Sequence, residues 1–220
     1  VAISDLFTGL YSVVAIQAAL RHAEKAGEGQ HIDMALFDSQ ISALGNQNLN
    51  YLVSGKSPVQ MGNAHMNIAP YEVLPVRDGH IILAVGNDGQ FQKFCAAVGL
   101  DDLPSNRDFA TNPARVANRA RLRERIIEAL EALDRDPLLA KLEAASVPAS
   151  PINTIGLMFD DPQTIARGMR LDLDDGHGNR LPSVRAPMVM SGTPLVYERP
   201  SPRLGEHTEE ILAELERSAR

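Results

Sequence analysis

Ser4-Asp5-Leu6-Phe7-Thr8-Gly9 runs straight into Leu10, Tyr11, Val13, Val14, Ile16, Ala18, Ala19 and Leu20, and this stretch decides how the rest of the chain is read. Its apolar positions predict a helix that ends near Gly27, with His22 and Lys25 in the last turns. Asp5 then stands at a helix entrance, where the positive end of the helix and unpaired backbone N–H groups attract a carboxylate. A carboxylate held in place can act as a nucleophile. The plainer role for Ser4, Asp5 or Thr8 is to cap the helix, since these residue types are common N-caps.

Working outward, Gly27-Glu28-Gly29 turns the chain into residues 30–35, a short predicted strand, with a helix from about Leu36 to Leu52. Helix, strand and helix in succession predict an α/β layer. A long loop runs from Gly55 to Pro70, and loops of that length in compact domains are often functional. Two extended runs, 71–76 and 80–85, flank Arg77-Asp78-Gly79, a strong hairpin signal. Helices are predicted at 88–99, 113–133 and 136–146, then a connector bearing Pro148 and Pro151. Asp161-Pro162 opens a short helix that stops at Gly168. Residues 169–174 and 182–186 read as extended around a turn at 175–179, and an amphipathic helix begins in the segment Gly205 to Glu210. Val1-Ala2-Ile3 reads as the end of a strand. A lone strand before the long loop cannot make a sheet, so the chain is expected to be a carboxy-terminal portion of a longer α/β protein.

The chain has 220 residues, enough for a sizeable core, and its 44% hydrophobic and 22% charged residues match ordinary soluble proteins. A net charge of -7 and the lack of a clustered basic face argue against nucleic-acid binding. Arg115, Arg119, Arg121, Arg123 and Arg125 share their segment with Glu124, Glu128 and Glu131 and read as a solvated helix face. The single cysteine, Cys95, reads as a buried structural thiol. Apolar stretches are expected to be interrupted short of membrane-spanning length, and Val1 opens without a signal-peptide pattern, so the expectation is a cytoplasmic protein without a membrane partner. No metal-ligating His and Cys spacing occurs. His22 reads as a helix-end residue, His31 and Asp33 as strand positions, His207 as part of a helix first turn, and Asn87 or Asp88 as a cap rather than part of a phosphate cradle.

Taken in order, Ser4 to Gly9, Gly29 to Asp38, Met61 to Tyr71, Asp78-Gly79 and Leu204-Gly205-Glu206-His207-Thr208 resemble the family III CoA-transferases of CaiB/BaiF type, which include formyl-CoA transferase and carnitine CoA-transferase-type enzymes. The resemblance covers essentially the whole chain. It implies the carboxy-terminal part of that fold, a large α/β domain interrupted by a smaller α+β domain, with residues 1–55 and 151–220 in the large domain and 56–150 in the small one. It also implies that an amino-terminal CoA-binding half precedes Val1 and that the full-length enzyme is an interlocked homodimer.

The family's nucleophilic aspartate falls on Asp5. The resemblance implies a CoA thioester as substrate, no tightly bound cofactor, and a small carboxylic acid, possibly a dicarboxylate, as acceptor. It implies transfer through an aspartyl mixed anhydride and then an aspartyl-CoA thioester. Gly62, Asn63, His65 and Asn67 fall in the family's mobile active-site loop and are expected to contact substrate. Surface turn geometry is the plainer explanation of that loop. Two other readings stand beside the transferase: a 2-methylacyl-CoA racemase of the same fold, disfavoured by the Asn63-Ala64-His65 sequence and by Asp88 where a Glu is usual, and a non-catalytic assembly or binding segment.

Overall fold

The computed structural model describes residues 1–218 and divides into two compact units, Val1–Asn63 and Ala64–Arg220. The first unit contains three helices, α1 (Ile3–Ala26), α2 (Leu36–Ala43) and α3 (Asn46–Ser54). Helix α1 starts at Ile3, so the strand expected at the chain start is absent. Its N-cap is Ala2, without a side-chain cap, which overturns the capping role for Ser4, Asp5 and Thr8. Thr8 instead donates its hydroxyl to the Ser4 carbonyl at 2.7 Å, inside the helix. Gly27, at φ 75°, closes α1 in the left-handed conformation and donates its N–H to the Ala23 carbonyl.

Residues 30–35 form no strand, because the described part of this unit offers no second strand to pair with. The helix expected over 36–52 is split at Gly45, whose φ of 57° breaks the helical path between α2 and α3. Helices α1 and α2 are joined by the Ser4 hydroxyl donating to Gln40 Oε1 and by a 3.1 Å contact between Tyr11 Oη and Ser42 Oγ.

None of α1 is buried within the structure, and Leu10 and Val14 are each about two-thirds exposed. No charged residue interrupts positions 6–20, so α1 is long and apolar enough to cross a membrane, contrary to the expectation from sequence. Length and composition do not by themselves place it in a membrane, since the core helix of a soluble protein meets the same test.

In the second unit, β1 (Tyr71–Val76), β2 (Gly79–Ala84) and β3 (Ala149–Pro151) form an antiparallel sheet in the order β1-β2-β3. Val76 pairs with Gly79, leaving Arg77-Asp78 as the two-residue hairpin connection. Glu72, Leu74 and Val76 on β1 and Ile81 and Leu83 on β2 are buried at the period of two that one covered sheet face requires. Strand β3 lies where a connector was expected; Pro151 has no N–H to give, which an edge strand tolerates.

Helix α4 (Asp88–Val98), a 3-10 turn at Leu103–Ser105, α5 (Asn112–Ala117), α6 (Arg119–Leu130) and α7 (Arg135–Ala144) supply the rest of the core. Helix α6 packs on β1, and α7 on β2 and β3. The helix expected over 113–133 breaks at Asn118, whose amide donates to the Asp108 and Ala114 carbonyls and holds a non-helical backbone.

The fully buried apolar core lies wholly between Ala69 and Val147, with Phe91, Phe94, Leu122, Ile126 and Leu142 over the sheet. Cys95 belongs to it, and burial pushes its thiol up to about 12. Beyond the core come α8 (Ile155–Asp160, capped by Thr154 and not foreseen), α9 (Pro162–Ala166), the hairpin β4 (Arg170–Asp174) and β5 (Arg180–Val184), and α10 (Thr208–Ser218). The result is a mixed helix-and-strand chain of the α/β class.

Candidate functional site

Asp5 is the third residue of α1, exposed, with no hydrogen-bond or ion-pair partner for its carboxylate among the described residues. Leu6 makes the first intrahelical bond, to the Ala2 carbonyl. The N–H groups of Ile3, Ser4 and Asp5 are therefore the helix's unspent donors, beside this carboxylate. Gly62 and Asn63 form an exposed turn, with Gly62 at φ 62°, in the conformation that glycine adopts without strain. Both belong to the first unit; His65 and Asn67 belong to the second.

The structure brings His65 and Asn67 together. The Asn67 N–H donates to His65 Nδ1 at 3.1 Å, so the neutral ring carries its proton on Nε2. The imidazole stacks on Tyr71 with centroids 5.3 Å apart, and the His65 N–H donates to the Tyr71 carbonyl at 2.9 Å. The loop expected to be mobile is thus tied down along its second half.

Its ties come from arginines that the sequence presented as a solvated face, and this is a correction. Arg119 Nη2 donates to the carbonyls of His65, Met66 and Ile68 at 2.7, 3.1 and 3.2 Å. Arg115 is fully buried: Nε donates to the Ala69 carbonyl at 2.6 Å, Nη1 to the Phe109 carbonyl, and Nη2 to Asp88 Oδ1 at 2.8 Å, with the guanidinium 4.3 Å from the Phe91 ring centroid. Arg123 pairs with buried Glu72 at 2.8 Å. Only Arg121 and Arg125 of this set make exposed ion pairs, with Asp108 and Asp102. Asn112 closes the same loop, accepting from the Ala69 N–H at 3.1 Å and donating to the Asn67 carbonyl at 2.8 Å. Arg119 precedes Leu122 and Ile126 at the i+3 and i+7 spacing of the buried side of α6, while Arg115 lies on the separate helix α5.

Asn87 caps α4 by accepting from the Gln90 N–H at 2.9 Å, while the Gly86 N–H is taken by Gln90 Oε1. The Gly86 and Gln90 N–H groups, two donors a phosphate cradle there would use, are thus spent on the chain itself. His22, His31 and Asp33 are exposed, and His207 lies 3.7 Å from Glu210.

The family model of CoA-transferase family III matches residues 1–208. This chain belongs to CoA-transferase family III. The family III chain is 57% identical over 217 residues to the succinate–glutarate CoA-transferase of Agrobacterium fabrum, covering 98% of this chain and 54% of that protein. It is 36% identical to the succinyl-CoA:glutarate CoA-transferase of Homo sapiens, covering 98% of this chain and 49% of that protein. A crystal structure of a CaiB/BaiF family protein from Brucella suis superposes with a TM-score of 0.81 at 52% identity, covering 98% of this chain and 56% of that one. The family III chain spans about half the length of these relatives. The relatives are named for CoA transfer, which does not favour the racemase reading.

Proposed function

We propose that this chain carries the nucleophile of a CoA-transferase that moves CoA from succinyl-CoA to a second dicarboxylate such as glutarate. The observation that carries the reading is Asp5, an exposed and unpartnered carboxylate in the first turn of α1, within the segment matched by the family model. The activities for which the relatives are named supply the substrate class.

The Asp5 carboxylate attacks the thioester carbonyl and expels CoA thiolate, leaving an aspartyl-succinyl anhydride. The thiolate attacks the aspartyl carbonyl, succinate departs, and Asp5 holds CoA as a thioester. The incoming carboxylate attacks that thioester and releases the thiolate. The thiolate then takes the acyl group of the acceptor, and the Asp5 carboxylate is regenerated. Thioester and anhydride are each made from the other, so the chain of acyl transfers retains the donor's reactivity. Each attack on the aspartyl carbonyl develops an oxyanion, and the spare N–H donors of the first turn suit that charge. His65 Nε2 and the loop at Gly62, Asn63 and Asn67 would contact the acids, and a loop that excludes water protects the anhydride from hydrolysis.

In this reading residues 1–55 and 151–220 belong to a larger α/β domain and 56–150 to a smaller one. The exposed face of α1 packs against protein in an interlocked homodimer, and the enzyme works on acyl-CoA in the cytoplasm. The test is to mix the full-length enzyme with succinyl-CoA and glutarate and follow glutaryl-CoA by chromatography. Glutaryl-CoA formed by the wild type and lost in Asp5→Ala is expected; no glutaryl-CoA, or deuterium entering the α-position of a 2-methylacyl-CoA, would contradict it.

A further inference from the structure

Arg119 stands apart from the other arginines of its segment. Among the described residues it makes no ion pair, and its Nη2 converges on the carbonyls of His65, Met66 and Ile68. Its Nη1 is buried without a hydrogen-bond partner. A guanidinium with no carboxylate, one amino group spent on three carbonyls and the other enclosed, is spent on the loop's shape rather than on charge pairing. Asn112 holds the loop from the neighbouring helix through the Asn67 carbonyl and the Ala69 N–H. Together they fix the backbone on both sides of Asn67, whose N–H in turn holds His65 Nδ1.

We propose that Arg119 and Asn112 are positioning residues for the acceptor acid: they set the His65–Asn67 turn so that His65 Nε2–H and the loop meet a dicarboxylate in one orientation. This rests on the transferase reading above. The loop carbonyls that Arg119 gathers otherwise repel one another, so without the cation the turn opens and the imidazole leaves its place. A displacement of about 1 Å in such a positioning element lowers rates by up to roughly a hundredfold.

The test uses the full-length enzyme and the variants Arg119→Lys, Arg119→Gln and Asn112→Asp. Asn112→Asp keeps the acceptor for the Ala69 N–H but places an oxygen against the Asn67 carbonyl, so it breaks one half of the clamp with little change in volume. Expected are a KM for the acceptor acid raised about tenfold or more in Arg119→Gln and Asn112→Asp, partial recovery in Arg119→Lys, and a distinctly smaller loss in the yield of the Asp5–CoA adduct from donor alone. If Arg119→Gln fails to fold, Asn112→Asp decides. Wild-type acceptor KM in folded variants, or equal loss of donor adduct and acceptor turnover, would overturn the inference. Failure of the wild type to form the Asp5 adduct would instead sink the transferase reading itself.

Discussion

Arg115 is a fully buried cation in the core-forming unit, and replacing it with Met isolates what it holds. Met fills much of the same volume, so the change removes hydrogen bonds with little cavity. Two buried backbone carbonyls, Ala69 and Phe109, lose their donor, and the Phe91 ring loses the guanidinium above it. Stranded buried acceptors cost about 1–3 kcal/mol each and the lost cation–π contact about 1 kcal/mol, for a total of about 3–7 kcal/mol. Asp88 adds little, because its side chain is 49% exposed and water replaces its partner. The assay is equilibrium urea unfolding followed by far-UV circular dichroism, where Arg115→Met should lower the midpoint by about 1–3 M. Asp88→Asn, which keeps an acceptor for Nη2, should move it far less. A loss under about 1 kcal/mol in Arg115→Met, or equal losses in both variants, would refute the view that the carbonyls rather than the ion pair make Arg115 indispensable.

Burial holds the Cys95 thiol near 12, so a thiol reagent at pH 8 should label it only as fast as the protein opens, with rapid labelling of the native state as the contrary result. Asp175 accepts from the Asn179 side chain, the Asn179 N–H and the His177 N–H, which lower its carboxyl from 3.8 to about 2. Its folded value lies below its unfolded one, so its contribution to the β4–β5 turn is complete above about pH 4 and is lost as pH falls through about 2. An NMR titration of Asp175 with a midpoint near 3.8 would contradict this. Gly99 ends α4 at φ 77° with open space where a Cβ would sit, so Gly99→Ala should cost about 1 kcal/mol in urea unfolding from backbone strain alone. Gly99→Asn should cost less, and equal stability of Gly99→Ala and wild type would count against the strain.

Elements fixed by local chemistry were legible in the chain. Asp78-Gly79 marked the first hairpin, Asp175 to Asn179 the second turn, and the apolar spacing of Phe91, Phe94, Cys95 and Val98 marked α4. What depended on distant partners was not. Residues 30–35 follow a Gly-Glu-Gly turn and alternate in burial around Ile32 and Met34, but the described part of their unit has no strand to pair with. Strand β3 is three residues long and ends in a proline, so it exists only because β2 offers an edge. The arginine segment looked solvated because charge usually is, whereas Arg115 and Arg119 reach back 46 to 54 residues to carbonyls that no local pattern reveals. Asp5 is singled out as the proposed nucleophile by its family motif alone, and its place in the helix differs from the expected cap: it lies inside the first turn of α1.

Whether Asp5 is the nucleophile is settled most directly by trapping. Full-length enzyme incubated with succinyl-CoA and then hydroxylamine should carry a hydroxamate on the peptide containing Asp5, seen by tandem mass spectrometry and missing from Asp5→Asn. A hydroxamate at another carboxylate, or none in an enzyme that still transfers CoA, would contradict the covalent role of Asp5.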